Sequence, residues 1–140
     1  MKEVFSIIPI TLYFIVGIIC LSMAYKSFFS KKYLPFHEKA AGKSWDNIDK
    51  PLQYVIVTIL RISGLGFLVI GLLLTIFPTI NYFKPDIFVK YSIPIISFIY
   101  CFGLFVFNYY LHKKTKANTP WIASVIVMFI ILISITISSI

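Results

Sequence analysis

The sequence predicts an all-α protein, a four-helix bundle integral to a membrane, and three observations carry that prediction. Of the 140 residues, 59% are hydrophobic and 13% charged, against ~25% charged in a soluble domain. The charges are bunched: apart from Arg61 they lie at the N-terminus and in residues 26–50, 84–90 and 113–116. The stretches between them, Val4–Tyr25, Pro51–Phe83, Tyr91–Leu111 and Ala117–Ile140, all exceed the ~20 residues a helix needs to cross about 30 Å of hydrocarbon. A chain of this length makes one domain.

The expected helices are 4–25, 51–77, 91–111 and 119–139. The first is a continuous apolar run, Val4–Leu21, longer than the ~7–15 residues of a signal-peptide core. Lys26, Lys31 and Lys32 follow it directly and oppose translocation of that end, so it reads as a retained span despite the small residues Ser22-Met23-Ala24. The second opens at Asp49, a residue suited to cap a helix, with Pro51 in its first turn, and Pro78 is expected to close it. The third is bounded by Lys90 and by His112 with Lys113. The fourth opens at Thr119-Pro120, an N-cap residue followed by a proline. Tyr25, Tyr33, Phe36, Trp45, Tyr54, Tyr82, Tyr91 and Trp121 fall near these ends, as an aromatic belt requires.

With four spans, both termini and the 78–90 loop share one side, which carries Lys2, Lys84 and Lys90. The other side carries Lys26, Lys31, Lys32, Lys39, Lys43, Lys50, Lys113, Lys114 and Lys116. The positive-inside rule places loops 26–50 and 112–118 in the cytoplasm and the termini outside, in a multi-pass protein of the cell membrane. The net charge of +8 is accounted for by basic loops beside anionic headgroups, without nucleic acid. Loop 26–50 is too long for a plain connector. It interleaves Phe28, Phe29, Tyr33, Leu34, Phe36, Trp45 and Ile48 with its lysines, which suits a segment on the interface or folded over the bundle mouth.

Arg61 is the one charge inside a span. Ten residues past Pro51, it is expected about 15 Å along the helix, where a charge costs roughly 2.5–3.5 kcal/mol on insertion scales. The spacing of Arg61, Gly64, Leu68, Gly71, Thr75 and Pro78 puts them on one face, and the glycines allow another backbone to approach. Arg61 is therefore expected to face the bundle interior near Asn108, Cys20 and Ser124. Together with Gly64 these form the candidate ligand-binding set. A plain anchor that snorkels to the headgroups is the alternative.

Ser6, Pro9, Tyr13, Gly17, Cys20, Ala24 and Ser27 form a seam of mainly small or polar residues on the first helix. Ser97, Cys101, Leu104, Asn108 and His112 form one on the third. Both are expected to meet the Arg61 face, as packing or as the wall of an apolar pocket open to the cytoplasm. Counting from the cytoplasmic ends, Cys101 is expected deeper than Cys20, which argues against a disulfide. His37 and His112 at the rim lack a cluster of further metal-binding side chains. No catalytic triad, phosphate loop or zinc-protease pattern is present, so no cofactor, no metal and no enzymatic activity are expected.

The run Trp45-Asp46, Asp49, Pro51-Leu52-Gln53, then Leu60-Arg61, Gly64, Gly66 and Gly71-Leu72 resembles the second-helix region of the DoxX-like small four-helix bacterial membrane proteins. The likeness covers about thirty residues. In that family an Arg-x-x-Gly-Gly opening is followed by a further glycine; here the second glycine stands at 66. The resemblance implies a four-helix bundle in the inner membrane and, in a few relatives, a supporting subunit of quinone-linked redox complexes. It brings no catalytic residue onto this chain.

The expected function is therefore a non-enzymatic membrane protein that binds a lipid-like or anionic small ligand, or a partner subunit, in a pocket centred on Arg61. Membrane lipids, a quinone or other apolar ligand, a partner membrane subunit and a homodimer are the expected partners. A small dimeric transporter or channel is the alternative, weakened by the absence of an intramembrane carboxylate.

Overall fold

The computed structural model describes residues 2–139, with side chains from residue 7 onward. Five helices follow in chain order: α1 (Lys2–Phe29), α2 (Pro35–Ala41), α3 (Lys50–Phe83), α4 (Ile87–Thr115) and α5 (Trp121–Ser138), with a single 3-10 turn at Trp45–Asn47 between α2 and α3. Four of them, all but α2, are long and apolar enough to cross a membrane, which makes this a multi-pass membrane protein of the expected all-α class.

The four spans run alternately up and down and close into a ring. α1 packs on α3 and α5, and α4 packs on α5 and α3. Inside lie Tyr13, Val16, Cys20, Ile70, Leu74, Cys101, Val127 and Ile131. Outside, every span exposes large apolar side chains, among them Phe14, Ile62, Phe107 and Phe129. Apolar surface on that scale is unsuited to water and suited to lipid.

The closest approach is between α1 and α3, and glycine permits it. A Cβ on Gly17 would stand 2.5 Å from Thr75 Cγ2 and 3.1 Å from the Gly71 carbonyl oxygen, and one on Gly71 would stand 2.8 Å from Leu21 Cγ. Pro9, Tyr13, Gly17, Cys20, Ala24 and Ser27 are all buried, as their spacing predicts; the Ser6 side chain lies outside the described residues. On α4, Ser97 and Cys101 are buried and Leu104, Asn108 and His112 half-buried. The cysteines are free thiols in one core cluster, so the expected difference in depth does not separate them into different layers.

Several boundaries differ from expectation for identifiable reasons. α3 runs through Pro78 to Phe83. One missing N–H is tolerated in a span because breaking the helix would strand more polar groups in lipid. α4 starts four residues earlier than expected, at Ile87, because Asp86 caps it, its carboxylate accepting from the Val89 N–H at 3.0 Å. Asp49 occupies the N-cap position of α3 without a side-chain capping bond. Thr119 does not cap α5: its hydroxyl donates across to the Asn108 carbonyl at 2.7 Å, tying α5 to α4.

Candidate functional site

Contacts between neighbouring helices set their relative levels. Gly64 lies against Ala24, Ser27 and Phe28. Gly66 and Phe67 lie against Tyr100. Thr119 bonds to Asn108. Continuing these antiparallel registers brings Phe29, Arg61 and Trp121 to one level, at the end of α1 and the start of α5. Below it the ring has four helices. Its shortest member, α5, has 18 residues, so about 27 Å, close to the thickness of a hydrocarbon core. Above it only α3 and α4 continue, joined by α2. The 34-residue α3 is about 51 Å long and overhangs the four-helix layer at this end.

This corrects the expected position of Arg61. Counting from Pro51 puts it in mid-span, but the first three turns of α3 belong to the overhang. Ile62–Phe83 alone suffices to cross, so Arg61 stands at the layer boundary, level with the belt residue Trp121 on the opposite helix of the ring. Nor does it face inward. The buried face of α3 carries Leu60, Gly64, Gly71 and Leu74, and Arg61, one residue or about 100° on from Leu60, is exposed. It shares that exposure with Ile62, Leu65 and Val69.

The candidate set around Arg61 is accordingly dispersed. Gly64 belongs to the α1–α3 contact, and Cys20 is buried in the core about nine residues deeper than Arg61. Ser124 is half-buried on α5, its hydroxyl 3.4 Å from the Pro120 carbonyl. Of the five, Asn108 alone is among the described residues that line the cavity beneath α2.

That cavity has a volume of about 510 Å³, within the roughly 300–1,000 Å³ of small-molecule pockets. It lies under the folded-over loop, where α1, α3 and α4 meet α2. Met23 and Phe67 line its deep end, Leu104 stands about level with Ser27 and Ser63, and Leu34, Phe36, Leu52 and Ile56 line its upper end. Between them lie three polar side chains, Ser27, Ser63 and Asn108. The Asn108 amide donates to its own helix at the Leu104 carbonyl, 2.8 Å away, leaving its carbonyl oxygen free to accept.

Local bonds hold the roof. The Tyr33 hydroxyl donates to the Lys43 carbonyl, closing a loop around α2, and its ring meets Trp45 edge-on at 5.0 Å. Gly42 makes that loop possible, with φ at 64°, a conformation costly for other residues. The Gln53 amide, in the second turn of α3, donates to the carbonyls of Trp45 at 2.9 Å and Ile48 at 3.0 Å.

Two basic residues line the cavity, Lys43 and His37, and no carboxylate lines it among the described residues. Burial lowers the His37 imidazole below its ordinary range, so it is neutral at pH 7. Burial first, then the nearby carboxylates of Glu38 and Asp46, push the Tyr33 hydroxyl up. His112 is occupied elsewhere, with Nδ1 2.7 Å from the Ala117 carbonyl. No group of three or more metal-binding side chains exists among the described residues.

The part of this site that sequence reasoning missed is Met23, Ser63, Phe67 and the α2 segment, whereas Ser27, Leu104 and Asn108 lie on the seams expected to wall an apolar pocket. A loop of mixed lysines and aromatics signalled a fold-back, but not which helix faces it would cover. No family model, curated protein or solved structure matches this chain.

Proposed function

We propose that this is a non-enzymatic protein of the cell membrane that holds a lipid-like molecule in the cavity beneath α2, with both termini outside and the α2 end of the bundle in the cytoplasm. The single observation that carries the reading is an apolar cavity of about 510 Å³ at the boundary of the four-helix layer. A chamber of that size, lined by Met23, Leu60, Phe67 and Leu104, exceeds the void a packed core leaves. Its apolar lining suits a hydrocarbon chain better than water. Arg61 in this reading is an anchor at the headgroup level, outside the site.

Replacing Leu104 with Trp tests the proposal by blocking the middle of the cavity. The parent, extracted in mild detergent, should retain a lipid-sized adduct in native mass spectra, and Leu104→Trp should lose it while keeping its helical circular dichroism. Equal adducts on both proteins would refute the cavity as the site.

A further inference from the structure

Resting on that reading, we propose that the ligand is a single-chain amphiphile with an anionic carboxylate or phosphate head, its chain buried toward Met23 and Phe67 and its head at the Lys43 end.

Shape supports one chain. The lining residues on α3 run from Leu52 to Phe67, fifteen residues or roughly 22 Å. A volume of about 510 Å³ spread over that length makes the site long and narrow, a shape that suits an extended hydrocarbon chain.

Polarity sets the direction. The deep end is apolar and lies within the four-helix layer, against Met23 and Phe67. The upper end lies in the overhang and carries Lys43, which is solvent-exposed and the one permanent charge of the lining among the described residues. A charged head there keeps contact with water, so it avoids the cost of full desolvation. Ser27, Ser63 and Asn108, partway down, can bond to oxygens near the head.

Charge sets the sign. Glu38 and Asp46 act on Tyr33, but neither lines the cavity. The lining therefore presents one cation and a neutral imidazole. An anionic head gains a charge-assisted bond to Lys43; a cationic head meets repulsion. The surrounding loop has the same sign: residues 26–50 hold Lys26, Lys31, Lys32, Lys39, Lys43 and Lys50 against Glu38, Asp46 and Asp49.

The test is competition for a fluorescent fatty acid bound to the full chain in neutral detergent at about pH 8.5, well above the ~4 of a carboxyl group. Competitors share one chain and differ in head: hexadecanoate, a lysophosphatidic acid, hexadecanol and hexadecyltrimethylammonium. At least one anion should compete about tenfold better than hexadecanol and the cationic amphiphile least, and the better anion names the source. Lys43→Gln should erase the anion's advantage without changing hexadecanol, and Lys43→Arg should keep it. If hexadecanol matches both anions in the parent, or Lys43→Gln leaves their advantage intact, the head assignment is wrong while the cavity reading stands. If no competitor displaces the probe and Leu104→Trp leaves probe binding unchanged, the cavity reading itself fails.

Discussion

Adding a single methyl group at Gly17 should destabilise the bundle, against the intrinsic preference of helices for alanine. Alanine is favoured over glycine in a helix by about 1 kcal/mol. In this position its Cβ would lie 2.5 Å from Thr75 Cγ2, 3.1 Å from the Gly71 carbonyl oxygen and 3.3 Å from the Thr75 nitrogen. Two of those neighbours are backbone and cannot swing aside, so α1 and α3 must separate. Forcing extra atoms into packed structure costs about 1–3 kcal/mol, which outweighs the gain and leaves a net loss of about 1 kcal/mol. Thermal unfolding in detergent, followed by circular dichroism, should show Gly17→Ala melting a few degrees below the parent. Thr75→Ser removes the nearest clashing methyl and keeps the hydroxyl that donates to the Gly71 carbonyl at 2.9 Å. The double variant Gly17→Ala with Thr75→Ser should therefore recover part of the loss, a coupling read from a double-mutant cycle. Gly103 supplies the control, since a Cβ there meets nothing within 4 Å and Gly103→Ala should not destabilise. Gly17→Ala melting at or above the parent would refute the close contact between α1 and α3.

Arg61→Lys should match the parent in melting and in retained lipid, because an exposed anchor needs only a cation that can reach the headgroups; a changed lipid profile would return Arg61 to the site. Gln53→Ala removes both amide bonds to the Trp45 and Ile48 carbonyls, about 1–2 kcal/mol in all. It should speed hydrogen exchange in residues 33–48 while leaving α5 unchanged. His37 predicts a pH dependence. Its folded pKa is lowered by burial, so the unfolded chain binds more protons, and stability falls as pH drops below about 6.5. The fall should be shallower in His37→Gln, with melting between pH 7.5 and 5 as the readout; parallel curves would show that His37 is solvated.

The fold was legible because charge and hydropathy are segregated along the chain: lipid tolerates uncharged helices and excludes nearly everything else. The small-residue seam of α1 was legible for a related reason, since period alone brings Pro9, Tyr13, Gly17, Cys20, Ala24 and Ser27 to one side. Arg61 was misplaced because depth had been counted from the end of its own helix. The level of a residue in a bilayer is set by all the helices together, and the overhang of α3 depends on where α5 starts. The same limit hid how far the expected apolar pocket extends. Met23, Ser63 and Phe67 are ordinary span residues by type, and only the unequal lengths of the helices and the folded roof bring them into its lining. Asp86 as a cap could have been read, since Asp followed by an apolar run is a helix start.

The central claim is that a single chain lies inside the bundle beneath α2, and photocrosslinking in vesicles tests it most directly. A fatty acid carrying a diazirine near the chain terminus is added to the reconstituted protein, illuminated, and the adducts mapped by peptide mass spectrometry. The account predicts adducts at the deep end of the cavity, on Met23 and Phe67, that unlabelled hexadecanoate competes away. Adducts confined to the outer faces, at residues such as Ile62, Val69 and Phe107, and insensitive to competitor, would contradict it.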